Sequence, residues 1–309
     1  MIEVALMIEG QDGLTWPRWQ RLARACEDLG FAALYRSDHF TNAGPPDKDS
    51  LELWVSLTWL ASHTSRIEFG PLVSPVSFRD PVLTARMAAQ IDDLSQGRLV
   101  LGVGAGWQER EHTMFGYDLL DVPARFARFE EGLQVITSLL RSENRVTFDG
   151  QYYHLKDAIL LPRPQRPGGP PILIGGNGPL RTLPLVARYA DEWNGVFINA
   201  DRYAALNQRL SELLIQAGRE PAAVRRSLMT PVMFGRDDNE FRAQATPWHM
   251  SERMLAERGV IHGTPNAVVE QLGRLAEAGV QRVMLQWLEQ DDLDRLEAFA
   301  STVLAQIKG

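Results

Sequence analysis

The chain of 309 residues has the composition of a globular protein, with 45% hydrophobic and 23% charged residues. Its 32 Lys and Arg against 39 Asp and Glu give a formal net charge of -7, which argues against binding to nucleic acid phosphates or to an anionic membrane. The single cysteine, Cys26, excludes an internal disulfide, and no apolar run reaches the roughly 18 residues of a membrane span. The start, Met1 to Val4, lacks the basic region of a signal peptide, so we expect a cytoplasmic protein.

Short β-rich runs alternate with helical periodicity along the whole chain. After the first run, Trp19, Leu22 and Cys26 recur at helical spacing, which predicts a helix with one apolar face. The predicted strands are residues 3–8, 31–35, 66–73, 98–103, 172–174, 193–198, 228–234 and 280–287. This alternation predicts an α/β fold, a (β/α)8 TIM barrel built as a single domain, 1–309, with a doubly wound parallel sheet as the alternative.

The alternation breaks between residues 144 and 171, after the fourth β/α unit. Residues 146–155 predict a hairpin with a two-residue turn at Asp149-Gly150, of the type that favours positive φ. A proline-rich connector follows at 161–167. We interpret this stretch as an excursion from one domain, because the alternation then resumes. A second irregular stretch, 236–263, predicts either a lid or an inserted helix.

Polar residues that follow the predicted strands are the candidates for function, because barrels of this kind carry their sites at the carboxyl ends of the strands. Asp38-His39 follows the second strand, and a histidine there can transfer protons near neutral pH, although most barrel histidines are structural. Glu9 follows the first strand as either a catalytic acid or a loop cap. No His pair with further ligands follows a strand, so we predict no metal site.

Glycine-rich turns follow the fourth and fifth predicted strands. In 102–107, Trp107 stands where the dinucleotide-binding fingerprint needs its third glycine. The turn at 175–178 leads into a predicted helix with Pro179 in its first turn, and free N–H groups there would attract a phosphate, with Arg181 nearby. A plain strand-to-helix turn is nearly as good an interpretation of the same residues.

A charged run, 108–112, follows the first of these turns. Glu109, Glu111 and His112 could form an acid/base set, but such a run is more typical of a solvated helix start. Cys26 lies on an apolar helix face and is expected in the core.

Several motifs occur in a fixed order along the chain. They are Ser37-Asp38-His39-Phe40, 70–81 (GPLVSPVSFRDP), 94–98 (LSQGR), 104–112 (GAGWQEREH), 171–176 (PILIGG) and 188–194 (RYADEWN). With them the chain resembles the bacterial luciferase-like family, which comprises flavin-dependent monooxygenases and deazaflavin-dependent oxidoreductases on a (β/α)8 barrel. It is most similar to the group described as coenzyme F420-dependent oxidoreductases, of which the run 104–112 is typical.

The resemblance implies hydride transfer between F420 and an organic substrate at the barrel mouth. It places Asp38 and His39 beside the cofactor ring, with His39 handling the proton, and a non-proline cis peptide between Leu72 and Val73. Glu9 is the third catalytic candidate. The residues expected to bind the cofactor are Asp38, His39, Leu72, Val73, Ser74, Gly104, Ala105, Gly106, Trp107, Gly175, Gly176, Asn177 and Gly178. Trp107 replaces the catalytic glutamate of the family's glucose-6-phosphate dehydrogenases, so that activity is not expected.

The alternatives are a monooxygenase that uses reduced FMN and oxygen, a non-catalytic flavin-binding relative, and a barrel glycosidase with Glu9 and Glu109 as paired carboxylates. The expected partners are a small-molecule substrate and a second copy of the chain in a homodimer. We further hypothesise that Arg163, Arg166 and Arg181 bind the anionic cofactor tail.

Overall fold

The computed structural model describes residues 2–308, and its centre is a barrel of parallel strands. The strands are β1 (Glu3–Ile8), β2 (Ala33–Arg36), β3 (Glu68–Pro71), β4 (Ser74–Pro75), β5 (Leu101–Gly104), β6 (Val146–Asp149), β7 (His154–Ala158), β8 (Ile172–Gly175), β9 (Glu192–Val196), β10 (Arg225–Phe234), β11 (Ile261–Gly263) and β12 (Arg282–Gln286). Their order around the barrel is β3-β2-β1-β12-β10-β9-β8-β5-β4, with β11 added beside β10.

Helices surround the barrel and connect its strands. They are α1 (Trp16–Asp28), α2 (Leu53–His63), α3 (Pro81–Leu94), α4 (Glu109–Phe115), α5 (Val122–Arg141), α6 (Thr182–Tyr189), α7 (Ala200–Gln216), α8 (Asp238–Ala245), α9 (Glu252–Glu257), α10 (Pro265–Glu277), α11 (Leu293–Phe299) and α12 (Ala305–Lys308). None of the helices within residues 2–308 has both the length and the apolarity to cross a bilayer.

The predicted third strand is divided into β3 and β4, which occupy one position in the ring. Leu72 and Val73 lie between them and are joined by a cis peptide bond, as expected. The ring closes at Phe69, whose N–H donates to the Arg98 carbonyl at 3.1 Å and whose carbonyl accepts from the Val100 N–H at 2.9 Å. With β3 and β4 counted as one, the (β/α)8 barrel prediction is confirmed.

Glycines make this closure sterically feasible. A Cβ atom on Gly70 would overlap the Val100 carbonyl oxygen, and one on Gly102 would overlap the Pro71 carbonyl oxygen. A Cβ atom on Gly104 would overlap the side chain of Val73. The seam between the third and fourth strand positions therefore requires residues without side chains.

The core has two layers because alternate strand residues point into the barrel and out toward the helices. Met7, Leu173 and Met284 pack inside the barrel, whereas residues such as Trp193 pack under the helices. At the amino-terminal end, buried Arg282 donates to the Glu3 carboxylate at 2.7 Å. Charged and apolar side chains thus fill the barrel below its carboxyl end.

The connections differ from the sequence predictions in two places. The hairpin of β6 and β7 has a four-residue loop, 150–153, instead of a two-residue turn, and its N–H groups at Gln151 and Tyr152 donate to the Glu131 carboxylate, both at 2.8 Å. The fifth-unit helix begins at Thr182, so Pro179 precedes it. The irregular stretch, 236–263, contains α8, α9 and β11, in agreement with the inserted-helix alternative. Met1 and Gly309, which the predicted domain includes, lie outside the described residues.

The glycine seam yields a stability prediction. Gly70→Ala is expected to lower the free energy of unfolding by about 2–3 kcal/mol, since the new methyl group overpacks a backbone contact. Gly273 in α10 has open space around its Cβ position, so Gly273→Ala should raise the free energy of unfolding by about 0.5–1 kcal/mol. Urea denaturation measures the free energy of unfolding of both variants. Equal changes in the two variants would contradict the close approach of Gly70 to the Val100 carbonyl.

Candidate active site

A cavity of about 480 Å³ opens at the carboxyl ends of the barrel strands. Most of the expected site residues line it: Glu9, His39, Leu72, Val73, Gly104, Ala105, Gly106, Trp107, Gly175 and Gly176. Asp38, Ser74, Asn177 and Gly178 lie outside this wall. The structure thus gathers residues from distant parts of the sequence at the end of the barrel where the sequence analysis expects them.

His39 is held at the wall by a carboxylate that the sequence analysis did not pair with it. Its Nδ1 donates to Glu111 Oε1 at 2.7 Å, and the second Glu111 oxygen accepts from the Phe40 N–H at 3.0 Å. Glu111 is 1% exposed, whereas the His39 side chain is 19% exposed. Because Nδ1 is engaged, Nε2 is the ring nitrogen of His39 that is free to exchange a proton with a bound molecule.

The environment of His39 favours the protonated ring. Burial opposes the charge, but the hydrogen bond and the negative charge of Glu111 outweigh it and raise the pKa of His39 above its ordinary value. The ring of Trp107 contacts His39 edge-on, with 5.5 Å between the ring centroids. This histidine therefore has the features of a group that exchanges a proton near neutral pH.

Asp38 does not lie on the wall, in contrast to the expectation that it contacts the cofactor ring. It is buried, accepts a hydrogen bond from Ser74 Oγ at 2.8 Å, and pairs with Arg79. Both of its oxygens are engaged by the guanidinium, which also binds Glu52. Asp38 therefore fixes the segment before His39, and Ser74 is its partner behind the wall.

The charged run 108–112 is not a solvated helix start. Glu111 and His112 are buried, and His112 donates from Nδ1 to the Gln108 carbonyl at 2.7 Å while Nε2 accepts from Ser77 Oγ at 2.8 Å. Burial lowers the pKa of His112, in agreement with a neutral ring. The sequence signal was the spacing of Gln108, Glu111 and His112, which places them on one helix face.

The start of α4 clamps the loop that follows His39. Gln108 Nε2 donates to the Thr41 carbonyl at 2.8 Å, and Arg110 binds the Asn42 carbonyl at 2.9 Å and the Asp47 carboxylate at 2.7 Å. These contacts join segments about 65 residues apart. Glu111 and His39 thus belong to two loops that are locked together.

The turn after β8 presents glycine to the cavity. Gly176 has a φ of 127°, and its carbonyl accepts from Trp193 Nε1 at 2.9 Å. Asn177 is engaged on both atoms of its amide with the backbone of Val196, at 2.6 and 2.9 Å, so it braces the turn and does not line the cavity. Thr182, which the sequence analysis did not select, lines the cavity instead.

Of the three arginines proposed for an anionic tail, two are elsewhere. Arg163 donates to the carbonyls of Leu139 and Leu140 at the end of α5, and Arg166 pairs with Asp92 at the amino-terminal side of the barrel. Both stabilise the proline-rich connector, and this part of the hypothesis is wrong. Arg181 is exposed and lies 6.0 Å from the ring centroid of Phe126, which lines the cavity.

Two further polar groups face the cavity. Glu9 accepts from Gln286 Nε2 at 2.5 Å and from Gln11 Nε2 at 2.8 Å. Asn194 is buried and donates to Ser227 Oγ at 3.0 Å, but its Oδ1 has no hydrogen-bond partner among the described residues. Glu109 is exposed and off the wall, so the paired carboxylates of a glycosidase are not formed. No three His, Cys, Asp or Glu side chains within residues 2–308 are arranged to hold a metal ion.

Comparison with known proteins identifies the family. The family model described as luciferase-like monooxygenase matches residues 4–257, and the chain therefore belongs to this family of enzymes. The F420-dependent glucose-6-phosphate dehydrogenase of Kineococcus radiotolerans is 29% identical over 274 residues, which cover 86% of this chain and 77% of that protein. The enzyme of the same description from Amycolatopsis mediterranei is 30% identical over 283 residues, 88% and 80% of the two chains.

Solved structures confirm the fold. An F420-dependent secondary alcohol dehydrogenase in complex with an F420-acetone adduct has a TM-score of 0.86 at 19% identity and covers 98% of both chains. The coenzyme F420-dependent tetrahydromethanopterin reductase from Methanopyrus kandleri has a TM-score of 0.81 at 21% identity, over 98% of this chain and 99% of that one. A long-chain alkane monooxygenase has a TM-score of 0.84 at 15% identity, over 99% and 91%.

The pairing of His39 with Glu111 predicts a measurable shift in titration. The pKa of His39 should lie above the ordinary histidine value and should fall in Glu111→Gln, because burial then acts without the opposing carboxylate. NMR titration of the six histidines, with His39→Asn for assignment, measures this. Glu109→Gln removes an exposed charge from the same helix as the control. An unchanged His39 titration in Glu111→Gln would show that the pair does not form in solution.

Proposed function

We propose that this enzyme transfers a hydride between the deazaflavin F420 and an organic substrate in the cavity at the carboxyl ends of the barrel strands. The observation that carries the proposal is His39, held by Glu111 and presented beside a wall of Val73 and Gly104. Such a wall suits a flat ring. Such a histidine suits the proton transfer to or from a substrate oxygen or nitrogen that accompanies hydride transfer at the adjacent carbon. The relatives described as F420-dependent dehydrogenases support the same cofactor.

The residues present fit a planar ring with hydrogen-bonding edges. A Cβ on Gly104 would overlap Val73, so the wall at this point is flat because it lacks a side chain. Asn194 Oδ1 is a buried acceptor without a partner among the described residues, and an N–H of a bound ring would satisfy it. Leu72 and Val73 supply apolar contact at the bulge between β3 and β4.

The cofactor tail would extend toward the turn after β8. Gly175 and Gly176 leave the backbone open to close approach, and Thr182 adds a hydroxyl at the start of α6. Arg181 and Arg125 supply positive charge at this side, and Arg125 lines the cavity. We therefore keep the 175–178 turn as the proposed phosphate site, with Asn177 as its brace.

The bound deazaflavin would supply the atom that accepts or donates the hydride. His39 Nε2 would take the substrate proton during oxidation and return it during reduction. Glu111 would stabilise the imidazolium that His39 becomes when it holds the substrate proton, as a carboxylate does for a catalytic histidine. Asp38, through Arg79 and Ser74, would hold His39 in place, and Trp107 would shield the reacting groups from water.

The cofactor preference is tested by titrating oxidised F420 and FMN into the protein and following tryptophan fluorescence. The Kd for F420 should be at least about tenfold lower than that for FMN, about 1.4 kcal/mol in binding free energy. Tighter binding of FMN would favour the monooxygenase alternative, and binding of neither would remove the proposal.

The tail site is tested by charge reversal. Arg181→Glu should raise the Kd for F420 by about tenfold, because an attractive charge becomes a repulsive one. Arg24→Glu changes the same charge on the exposed face of α1 and should leave the Kd unchanged. Equal effects of both variants would mean that Arg181 acts only through the overall charge of the protein. The homodimer stays a prediction of the resemblance, and the cytoplasmic location stays a prediction of the sequence.

A further inference from the structure

Charges around the cavity are separated to opposite sides. Glu9 follows β1, whereas Arg181 lies between β8 and α6. When β3 and β4 count as one strand position, the same number of strands separates β1 from β8 in either direction around the barrel. The two strands therefore face each other across the mouth of the cavity. Arg125, from α5, lies on the wall with its guanidinium held by the carbonyls of Gly106 and Leu120, at 3.2 and 3.0 Å, and it has no carboxylate partner among the described residues.

The Glu9 side has an excess of negative charge. The side-chain hydrogen-bond donors to the Glu9 carboxylate are the neutral amides of Gln11 and Gln286. These amides carry no positive charge, so they do not neutralise the negative charge of Glu9. The charged groups on this side of the mouth are the carboxylates of Glu9, Asp38, Glu52 and Glu111 and the guanidiniums of Arg36 and Arg79, with His39 titrating between them. Arg36 is buried and donates to the Leu51 carbonyl and to Ser56 Oγ.

Cations of the loops farther out on this side are already paired. Arg18 binds Asp291 at 2.5 Å, and Lys48 pairs with Asp12. Arg295, the next cation, lies among the carboxylates of Glu289 and Asp292. An anionic molecule that entered beside Glu9 would therefore meet a carboxylate and would gain no free cation among the described residues.

Most of the remainder of this side is apolar. Met7, Val196 and Met229 line the cavity between Glu9 and the turn after β9, and the half-exposed Phe197 stands at its rim. An apolar molecule with one or two hydrogen-bonding groups matches this surface.

We propose that the Glu9 side is the substrate half of the cavity and that the Glu9 carboxylate selects an uncharged, largely apolar substrate bearing a hydroxyl or carbonyl group over an anionic one such as a sugar phosphate. This inference rests on the proposed function, in which the F420 ring and tail would occupy the other half. It separates this chain from relatives described as glucose-6-phosphate dehydrogenases. Glu9 repels anions, whereas His39 carries the proton.

The test measures how quenchers of different charge reach bound F420, whose oxidised ring is fluorescent. Iodide and neutral acrylamide are compared at constant ionic strength, with the protein in excess. In the wild-type protein, iodide should quench bound F420 much less effectively than acrylamide, relative to free F420. Glu9→Gln should raise the iodide quenching constant at least twofold and leave the acrylamide constant unchanged.

Glu109→Gln is the matched control, because it removes one exposed carboxylate that is off the cavity wall. It should change neither constant. Glu9→Ala serves as a second variant if Glu9→Gln unfolds at a lower temperature, and it should shift iodide quenching in the same direction. An iodide constant that stays at the wild-type value in both Glu9 variants would overturn the proposal.

A substrate experiment adds an independent outcome. Glucose 6-phosphate, incubated with the protein and F420, should leave the F420 absorbance unchanged, and its rapid reduction of F420 would also overturn the proposal. Failure of F420 to bind the wild-type protein would refute the proposed function and this inference with it. Binding of F420 together with equal access of iodide and acrylamide would refute the charge selection alone.

Discussion

Closure of the barrel beside Gly70 and Gly102 is the constraint on which the site depends. The backbones of the third and fourth strand positions approach so closely that a Cβ on either glycine would overlap a carbonyl oxygen. Immediately beyond this seam, the chain bulges at Leu72 and Val73 and delivers Val73 to the cavity wall. Gly104 leaves space for that side chain, so the same absence of side chains both closes the barrel and flattens one wall of its mouth.

A second constraint links the loops above this wall. Glu111 in α4 receives hydrogen bonds from His39 and from the Phe40 backbone, while Arg110 and Gln108 bind the loop that follows. A buried carboxylate with such partners orients the histidine and favours its charged form. Proton transfer at His39 therefore depends on both the loop after β2, which carries His39, and the start of α4, which carries Glu111.

The sequence predicted the parts of this account that depend on local pattern. Strand and helix periodicity predicted an α/β fold and left a doubly wound sheet as the alternative to the barrel, which the family resemblance favoured. Parallel strands of a barrel bring the residues that follow them to one end, and this located His39, Glu9 and the glycine turns. The pairing of His39 with Glu111 was out of reach, because it joins residues 72 positions apart and the run around Glu111 has the composition of a solvent-exposed helix. Arg163 and Arg166 were assigned to the wrong end of the barrel for a different reason. Their charge alone does not show at which end of the barrel the proline-rich connector lies.

A crystal structure of the protein with F420 would show directly where the cofactor ring binds. We predict the deazaflavin ring against Leu72, Val73 and Gly104, with His39 Nε2 facing its reactive edge and the tail directed toward Gly176 and Arg181. A ring bound away from this wall, for example in the separate outer groove lined by Arg18, Lys48 and Asp291, would contradict it.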